Sequence, residues 1–178
     1  MKITEKIYKL VLAALFFAMG FVLPYLTGLV KEIGDTLLPM HLPIMLCGII
    51  CGARYGFATG LLLPFARALT GMPPFYPNAV WMALELATYG FVIGLLYSRV
   101  KKHNAVYLLI CLICSMIAGR IVWGVAKAIL LTGTKKAFTI NAFIMGGFID
   151  ALPGIIIQLV LIPIIVEVYE REKRRRKR

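Results

Sequence analysis

The chain carries the stretch RALTGMPPFYPNAVWMALE at residues 67–85. It places an arginine at one end and a glutamate at the other end of a segment rich in proline and aromatic residues. The flanking sequence is apolar enough for a membrane interior, where an ionised side chain is costly and usually lines a cavity or pairs with a partner. We therefore interpret the stretch as a hairpin between two membrane helices that forms the floor and gate of a binding site.

The composition places the whole chain in a membrane. Of its 178 residues, 61% are hydrophobic and 16% are charged, whereas a soluble domain carries about 25% charged residues. The mean hydropathy of +0.87 agrees with this class. Much of the net charge of +12 comes from basic residues near the N-terminus, in one short loop and in the tail at 170–178. Because this distribution is typical of membrane topology, we expect one integral membrane domain over residues 1–178 and no binding of nucleic acid.

Six apolar runs predict an all-α bundle of six transmembrane helices. Their expected bounds are Ile7–Leu26, Leu42–Gly52, Gly56–Thr70, Asn78–Arg99, Ala105–Leu131 and Phe143–Tyr169. The first run is longer than the apolar core of a signal peptide, so we expect it to be retained as a helix. Lysine and arginine concentrate on one side of the bundle, which predicts that both termini are cytoplasmic and that the hairpin faces outward. A five-span alternative would put the basic tail outside and is disfavoured.

Polar residues recur at helical spacing within the predicted spans. The sets are Asn78, Trp81 and Glu85 on the fourth helix, Arg120, Trp123 and Lys127 on the fifth, and Asp150, Gly154 and Gln158 on the sixth. Residues three, four or seven positions apart share one face of a helix. On the third helix, Pro64 removes a backbone donor and is expected to bend the helix so that Arg67 points inward.

The charges within the spans do not cancel. Three cations, Arg67, Arg120 and Lys127, face two anions, Glu85 and Asp150. If each acid neutralises one base, one cation remains for an anionic ligand, and arginine suits a carboxylate because it donates two parallel hydrogen bonds. The candidate substrate-binding residues are Arg67, Tyr76, Asn78, Trp81, Glu85, Arg120, Trp123, Lys127 and Asp150. The alternative is a set of internal salt bridges that hold the bundle together.

Two features near the start of the chain each allow two interpretations. Ala14 and Ala18 form a small-xxx-small step on the first helix, which allows another helix to approach closely. The partner is either a docking protein or a helix of the same chain. His41 follows a long polar loop at 27–39 and starts the second helix. It could contact a ligand, but we favour the interpretation that this histidine forms hydrogen bonds with a backbone group or with water.

The sequence predicts neither catalysis nor a metal site. The cysteines form two short-range pairs within the spans, Cys47 with Cys51 and Cys111 with Cys114, a pattern typical of small packing residues. There is no nucleophile elbow, no His-Glu-x-x-His motif and no phosphate-binding glycine loop. We therefore expect a protein that is not an enzyme and has no cofactor of its own.

Several motifs together suggest a family. They are ALFFA at 14–18, HLP at 41–43, CGIICGARYG at 47–56 and LTGMPP at 69–74, within six predicted spans. Over essentially its whole length the chain resembles the substrate-binding S components of energy-coupling factor (ECF) vitamin transporters. The specificity of the resemblance comes from the combination of motifs.

The resemblance implies a function and partners. An S component captures a vitamin or cofactor precursor at the outer face of the bacterial plasma membrane and docks on a membrane coupling (T) protein that is bound to two ATPase subunits. By resemblance, Ala14 and Ala18 would form the docking surface. The surplus cation favours a carboxylate such as pantothenate, lipoate or biotin over cationic thiamine. A small homo-oligomeric carrier or channel and a non-transporting membrane scaffold stay open as alternatives.

Overall fold

The protein is built from α-helices. The computed structural model describes residues 3–27, 38–100, 104–131 and 139–175, and these ranges contain no strand. The helices are α1 (Ile3–Thr27), α2 (His41–Cys51), α3 (Ala53–Leu69), α4 (Asn78–Arg99), α5 (Ala105–Leu131), α6 (Ile140–Ile144) and α7 (Leu152–Arg175), with a π-helical turn at Met145–Ile149. The expected all-α class is confirmed.

Four helical segments are long and apolar enough to cross a membrane. They are Ile3–Leu26, Asn78–Arg99, Ala105–Leu131 and Ile140–Arg175. The helices α2 and α3 have 11 and 17 residues, which corresponds to roughly 16 and 25 Å, shorter than ~30 Å of hydrocarbon. A multi-pass membrane protein is therefore supported, while six spans and the orientation of the termini stay predictions.

Two of the six predicted helices begin and end where the sequence predicts, and four do not. The predicted bounds of α4 and α5 coincide with the observed ones. In contrast, α3 begins at Ala53 and not at Gly56, because Gly52 alone connects it to α2. Gly52 has a φ of 105°, a conformation that residues with a side chain rarely adopt, so this tight turn requires glycine.

The last membrane segment is interrupted, whereas the sequence predicted one continuous helix over Phe143–Tyr169. The short α6 runs into the π-helical turn Met145–Ile149, and a further turn precedes α7. Pro153, the second residue of α7, has no N–H and cannot donate the helical hydrogen bond to the preceding turn. A π-helical turn inside a helix is often found at functional sites.

Close backbone contact joins α2, α3 and α4. A methyl group added to Gly56 of α3 would lie 2.5 Å from the Gly90 carbonyl oxygen, and one added to Gly60 would lie 2.5 Å from another carbonyl oxygen of α4. One added to Gly94 would lie 2.6 Å from the Gly48 carbonyl oxygen of α2. Glycines four residues apart allow helix backbones to approach in this way. The three helices are therefore packed without intervening side chains at these points.

A hydrophobic core adds the later helices to this group. Its fully buried members include Ile44 of α2, Leu63 of α3, Leu86 of α4, Leu112 of α5 and Ile162 of α7. The helix α4 contacts α2, α3 and α5. It is therefore the central helix, and its polar residues Glu85 and Tyr89 lie inside the bundle.

Replacing Gly90 by alanine tests the glycine contact. The added methyl group would lie 2.8 Å from the Gly56 Cα atom, so the helices must separate. We expect Gly90→Ala to destabilise the fold by about 1–3 kcal/mol, the usual cost of overpacking. The control Leu84→Ala changes an exposed position of the same helix and should cost less. Thermal unfolding in detergent measures both, and unchanged stability of Gly90→Ala would contradict the close contact.

Candidate binding site

A buried ion pair between α4 and α5 forms the centre of the candidate site. The Glu85 Oε1 atom accepts hydrogen bonds from Arg120 Nη1 and from the Tyr89 hydroxyl, both at 2.9 Å. Glu85 is 2% exposed and Arg120 is 5% exposed. Gly119 makes room for this arrangement, because a side chain there would overlap the Tyr89 ring. Breaking such a pair is costly, since the remaining charge would be buried without a partner.

His41 lies against the same carboxylate. Its Nε2 atom is 3.6 Å from Glu85 Oε1, too long for a hydrogen bond, and its ring centroid is 5.2 Å from that of Tyr89. The side chain is 2% exposed. Neither ring nitrogen has a hydrogen-bond partner within the part of the chain that the structure describes. The expected backbone partner is therefore not found there. We call Glu85, Arg120, Tyr89 and His41 the Glu85 cluster.

An aromatic layer covers the Glu85 cluster toward the hairpin. Both tryptophans of the chain, Trp81 and Trp123, are buried here. The Lys127 ammonium lies 4.6 Å from the Trp123 ring centroid and 5.7 Å from that of Trp81, within the range of a cation–π interaction. Phe143 stacks on Trp123 with centroids 6.1 Å apart. We call Trp81, Trp123 and Lys127 the indole layer.

Arg67 binds backbone oxygens and lies apart from the Glu85 cluster. Its Nε atom donates a hydrogen bond to the Pro73 carbonyl at 2.9 Å, and Nη1 donates one to the Phe21 carbonyl. The guanidinium also lies 5.7 and 5.4 Å from the ring centroids of Phe21 and Tyr25. Arg67 points inward, as predicted, and is 3% exposed. It joins the end of α1 to the hairpin, and among the described residues its partners do not include Glu85.

Three further predicted site residues are exposed. Tyr76 is 78% exposed, and Asn78 is exposed at the start of α4. Asp150 lies in the turn before α7, where the break in the helix leaves it exposed while Gly154 and Gln158 are buried. The common face that the sequence predicted for Asp150, Gly154 and Gln158 is therefore not formed. Asp150 is not among the described partners of the Glu85 cluster, so the acid that neutralises Arg120 is Glu85.

The cavities that open between the described helices include an apolar one and a polar one, and neither of these contains the Glu85 cluster. One of ≈ 380 Å³ is an apolar groove between α5 and α6, which Phe143 helps to line. The other, of ≈ 320 Å³, lies near the ends of α4 and α7 and includes Tyr97 and Glu170. The charged residues of the site are therefore enclosed by their own side chains, with the indole layer on the side of the hairpin.

The sequence prediction missed two contacts of this site. Tyr89 lies four residues after Glu85, so the shared helix face was a usable signal. Phe143 reaches Trp123 from the interrupted last segment, and no residue spacing reveals that contact. Most of the polar loop at 27–39, residues 28–37, falls outside the described residues.

Comparison with protein families assigns the chain to a family. The model for the substrate-specific component of ECF transporters matches residues 8–166. The chain belongs to this family. The S component is therefore a membrane-embedded, substrate-binding subunit for transport, in a family whose members are not themselves enzymes. Neither the curated proteins nor the solved structures gave a match.

The two alanines of α1 face away from the interior of the S component. Ala14 and Ala18 are exposed, whereas Ala13, Phe16 and Gly20 on the other face of the helix are buried. Internal packing is therefore wrong as an explanation of the Ala14 and Ala18 step. This face is available to lipid or to a partner.

The ion pair predicts a rescue experiment. Arg120→Met leaves the Glu85 carboxylate unpaired inside the bundle, which should cost about 3–5 kcal/mol. Adding Glu85→Gln removes the stranded charge and should restore most of the folded yield after size exclusion. The matched control is Arg67→Met, which Glu85→Gln should not rescue because Arg67 binds carbonyl oxygens. Rescue of Arg67→Met instead would show that Arg67 and Glu85 are coupled.

Proposed function

We propose that this S component captures a small carboxylate, a vitamin or cofactor precursor such as pantothenate, lipoate or biotin, from outside a bacterial cell. The observation that supports a carboxylate most directly is the unused edge of Arg120. Its Nε and Nη2 atoms are buried and have no hydrogen-bond partner among the described residues. A buried donor without a partner costs free energy, so a ligand that accepts from both atoms is favoured.

The geometry of Arg120 fits a carboxylate. Glu85 accepts a hydrogen bond from Nη1 only. The N–H donors of Nε and Nη2, which share one edge of the planar guanidinium, therefore stay available. Two parallel hydrogen bonds from such an edge to one carboxylate are short and strong. Glu85 fixes the orientation of the guanidinium, and the ligand then uses the free edge.

The indole layer supports a small-molecule pocket on the hairpin side of Arg120. Lys127 lies seven residues beyond Arg120, roughly 10 Å along α5, and its positive charge favours an anion over a cation such as thiamine. The indoles supply the apolar walls that such pockets usually have. Because the cluster is enclosed, we propose that ligand entry displaces Lys127 from its position over the indoles.

The proposed topology has six spans and cytoplasmic termini. In addition to the four long segments, α2 and α3 would cross as a pair joined at Gly52. Arg54 and the basic residues of the N-terminal segment and of the tail would then lie on the cytoplasmic side. The hairpin and the indole layer would face outward, the side from which the ligand enters.

The proposed partners are a membrane coupling (T) protein and two ATPase subunits. The exposed Ala14 and Ala18 support a docking role for α1, because small residues allow a second helix to approach closely within the membrane. ATP hydrolysis would then belong to the partner subunits, and the S component would supply recognition.

A ligand screen tests the carboxylate. Pantothenate, lipoate or biotin should raise the melting temperature of the purified protein, since a ligand present at 100 times its Kd stabilises the native state by about 2.7 kcal/mol. The same ligand should change the intrinsic fluorescence, because both tryptophans lie in the indole layer. Thiamine should do neither.

Arg120→Gln combined with Glu85→Gln provides the matched variant for this screen. It keeps hydrogen-bonding groups without a stranded charge and should weaken carboxylate binding by about tenfold or more. Stabilisation by thiamine alone, or full carboxylate affinity in the double variant, would refute the assignment of Arg120.

Substitutions on α1 test the docking surface. Ala14→Leu or Ala18→Leu should reduce uptake by cells about tenfold or more, because added volume prevents close helix contact. Ligand binding by the isolated protein should stay at the wild-type level. The control Ala58→Leu makes the same change at an exposed position of α3 and should leave uptake intact. Normal uptake by the α1 variants would place the docking surface elsewhere.

A further inference from the structure

His41 is the second buried polar group of the site with unused hydrogen-bonding atoms. Both Nδ1 and Nε2 lack a partner among the described residues, although the side chain is only 2% exposed. We infer that His41 is a specificity-determining residue that hydrogen-bonds a neutral polar group of the substrate, a hydroxyl or an amide. The inference rests on the proposed function, since it concerns the same ligand whose carboxylate binds Arg120.

The position of His41 supports this role. Its Nε2 atom and the Arg120 Nη1 atom lie 3.6 and 2.9 Å from the same Glu85 oxygen. The free edge of Arg120 points away from Nη1, so a ligand whose carboxylate binds there must extend past the guanidinium for its second polar group to reach the imidazole. His41 also begins α2, where the chain enters the bundle from the first loop, so a ligand there would contact α2 as well as α5.

The chemistry of the surroundings selects a neutral group. Once the ligand carboxylate is bound, Arg120 and Lys127 are balanced by that carboxylate and Glu85, so a second charge on the ligand would be buried without a partner. A neutral imidazole offers one N–H donor and one acceptor nitrogen. A hydroxyl or an amide can use either, whereas an alkyl or thioether group leaves both nitrogens unsatisfied.

Structural packing alone does not account for a histidine here. The ring contacts Tyr89 and its Nε2 atom lies 3.6 Å from Glu85 Oε1; phenylalanine would keep the first contact, and neither contact satisfies Nδ1. A buried polar group that lacks a partner costs roughly 1–3 kcal/mol. A ligand group that hydrogen-bonds the imidazole would remove this cost.

The substrate class narrows accordingly. It is a carboxylate that carries a second, neutral hydrogen-bonding group. Pantothenate has hydroxyl and amide groups and biotin has a ureido group, whereas the far end of lipoate is an apolar dithiolane. Of these probes, pantothenate or biotin should bind more tightly than lipoate.

The experiment compares dissociation constants of the three probes in wild-type, His41→Phe and His41→Gln proteins, measured by tryptophan fluorescence. The wild type should prefer pantothenate or biotin over lipoate by about tenfold or more, and His41→Phe should reduce this ratio about tenfold, the loss of one hydrogen bond. His41→Gln keeps a donor and an acceptor and should retain part of the preference. Met45→Leu, a fully buried change one turn further along α2, is the packing control.

The outcomes separate this inference from the proposed function. If no carboxylate binds, the proposed function fails and the inference fails with it. If lipoate binds as tightly as the other two probes to the wild type, the role of His41 is refuted while carboxylate capture stands. An unchanged probe ratio in folded His41→Phe protein also refutes it, and this result would indicate that His41 only packs against Tyr89. The wild-type ratio decides the matter even if His41→Phe does not fold.

Discussion

The hydrogen-bonded ion pair between Glu85 and Arg120 is the constraint on which the site depends. Neither charge is stable alone inside an apolar bundle, so each requires the other. The pair therefore fixes the position of α4 relative to α5 along the helix axes. The Tyr89 hydroxyl adds a second hydrogen bond to the same oxygen. The pair leaves one edge of the guanidinium unused, and on the proposed function this edge binds the ligand carboxylate.

The bundle divides into a tightly packed part and a more loosely packed part. Glycine contacts bring the backbones of α2, α3 and α4 together, and Arg67 fastens the end of α1 to the hairpin beside them. The last segment is interrupted by a π-helical turn, and four residues of α7 are buried, compared with eleven of α4. Local rearrangement is easier where few contacts hold a segment. The segment of α6 and α7 is therefore expected to rearrange more easily than α4.

Sequence reasoning succeeded where a single helix carries its own signals. The predicted bounds of α4 and α5 are confirmed, because a polar or proline-containing segment adjoins each end of both apolar runs. It failed where the answer depended on space between helices. The long side chain of Arg67 reaches carbonyl oxygens at Phe21 and Pro73 that no spacing rule connects to it. The glycine steps at 56–60 and 90–94 were visible in the sequence, but the prediction used only the alanine step of α1.

The depth of the Glu85 cluster links binding to the membrane potential. Glu85 lies seven residues into the 22-residue α4, about a third of the way through the helix. On the proposed topology, a carboxylate that binds there has moved inward against an electrically negative cytoplasm. Because one charge crossing the whole membrane is worth roughly 2.3 kcal/mol per 100 mV, this partial movement costs about 0.8 kcal/mol per 100 mV. The same S component should therefore hold its anion more weakly in an energised cell than in detergent.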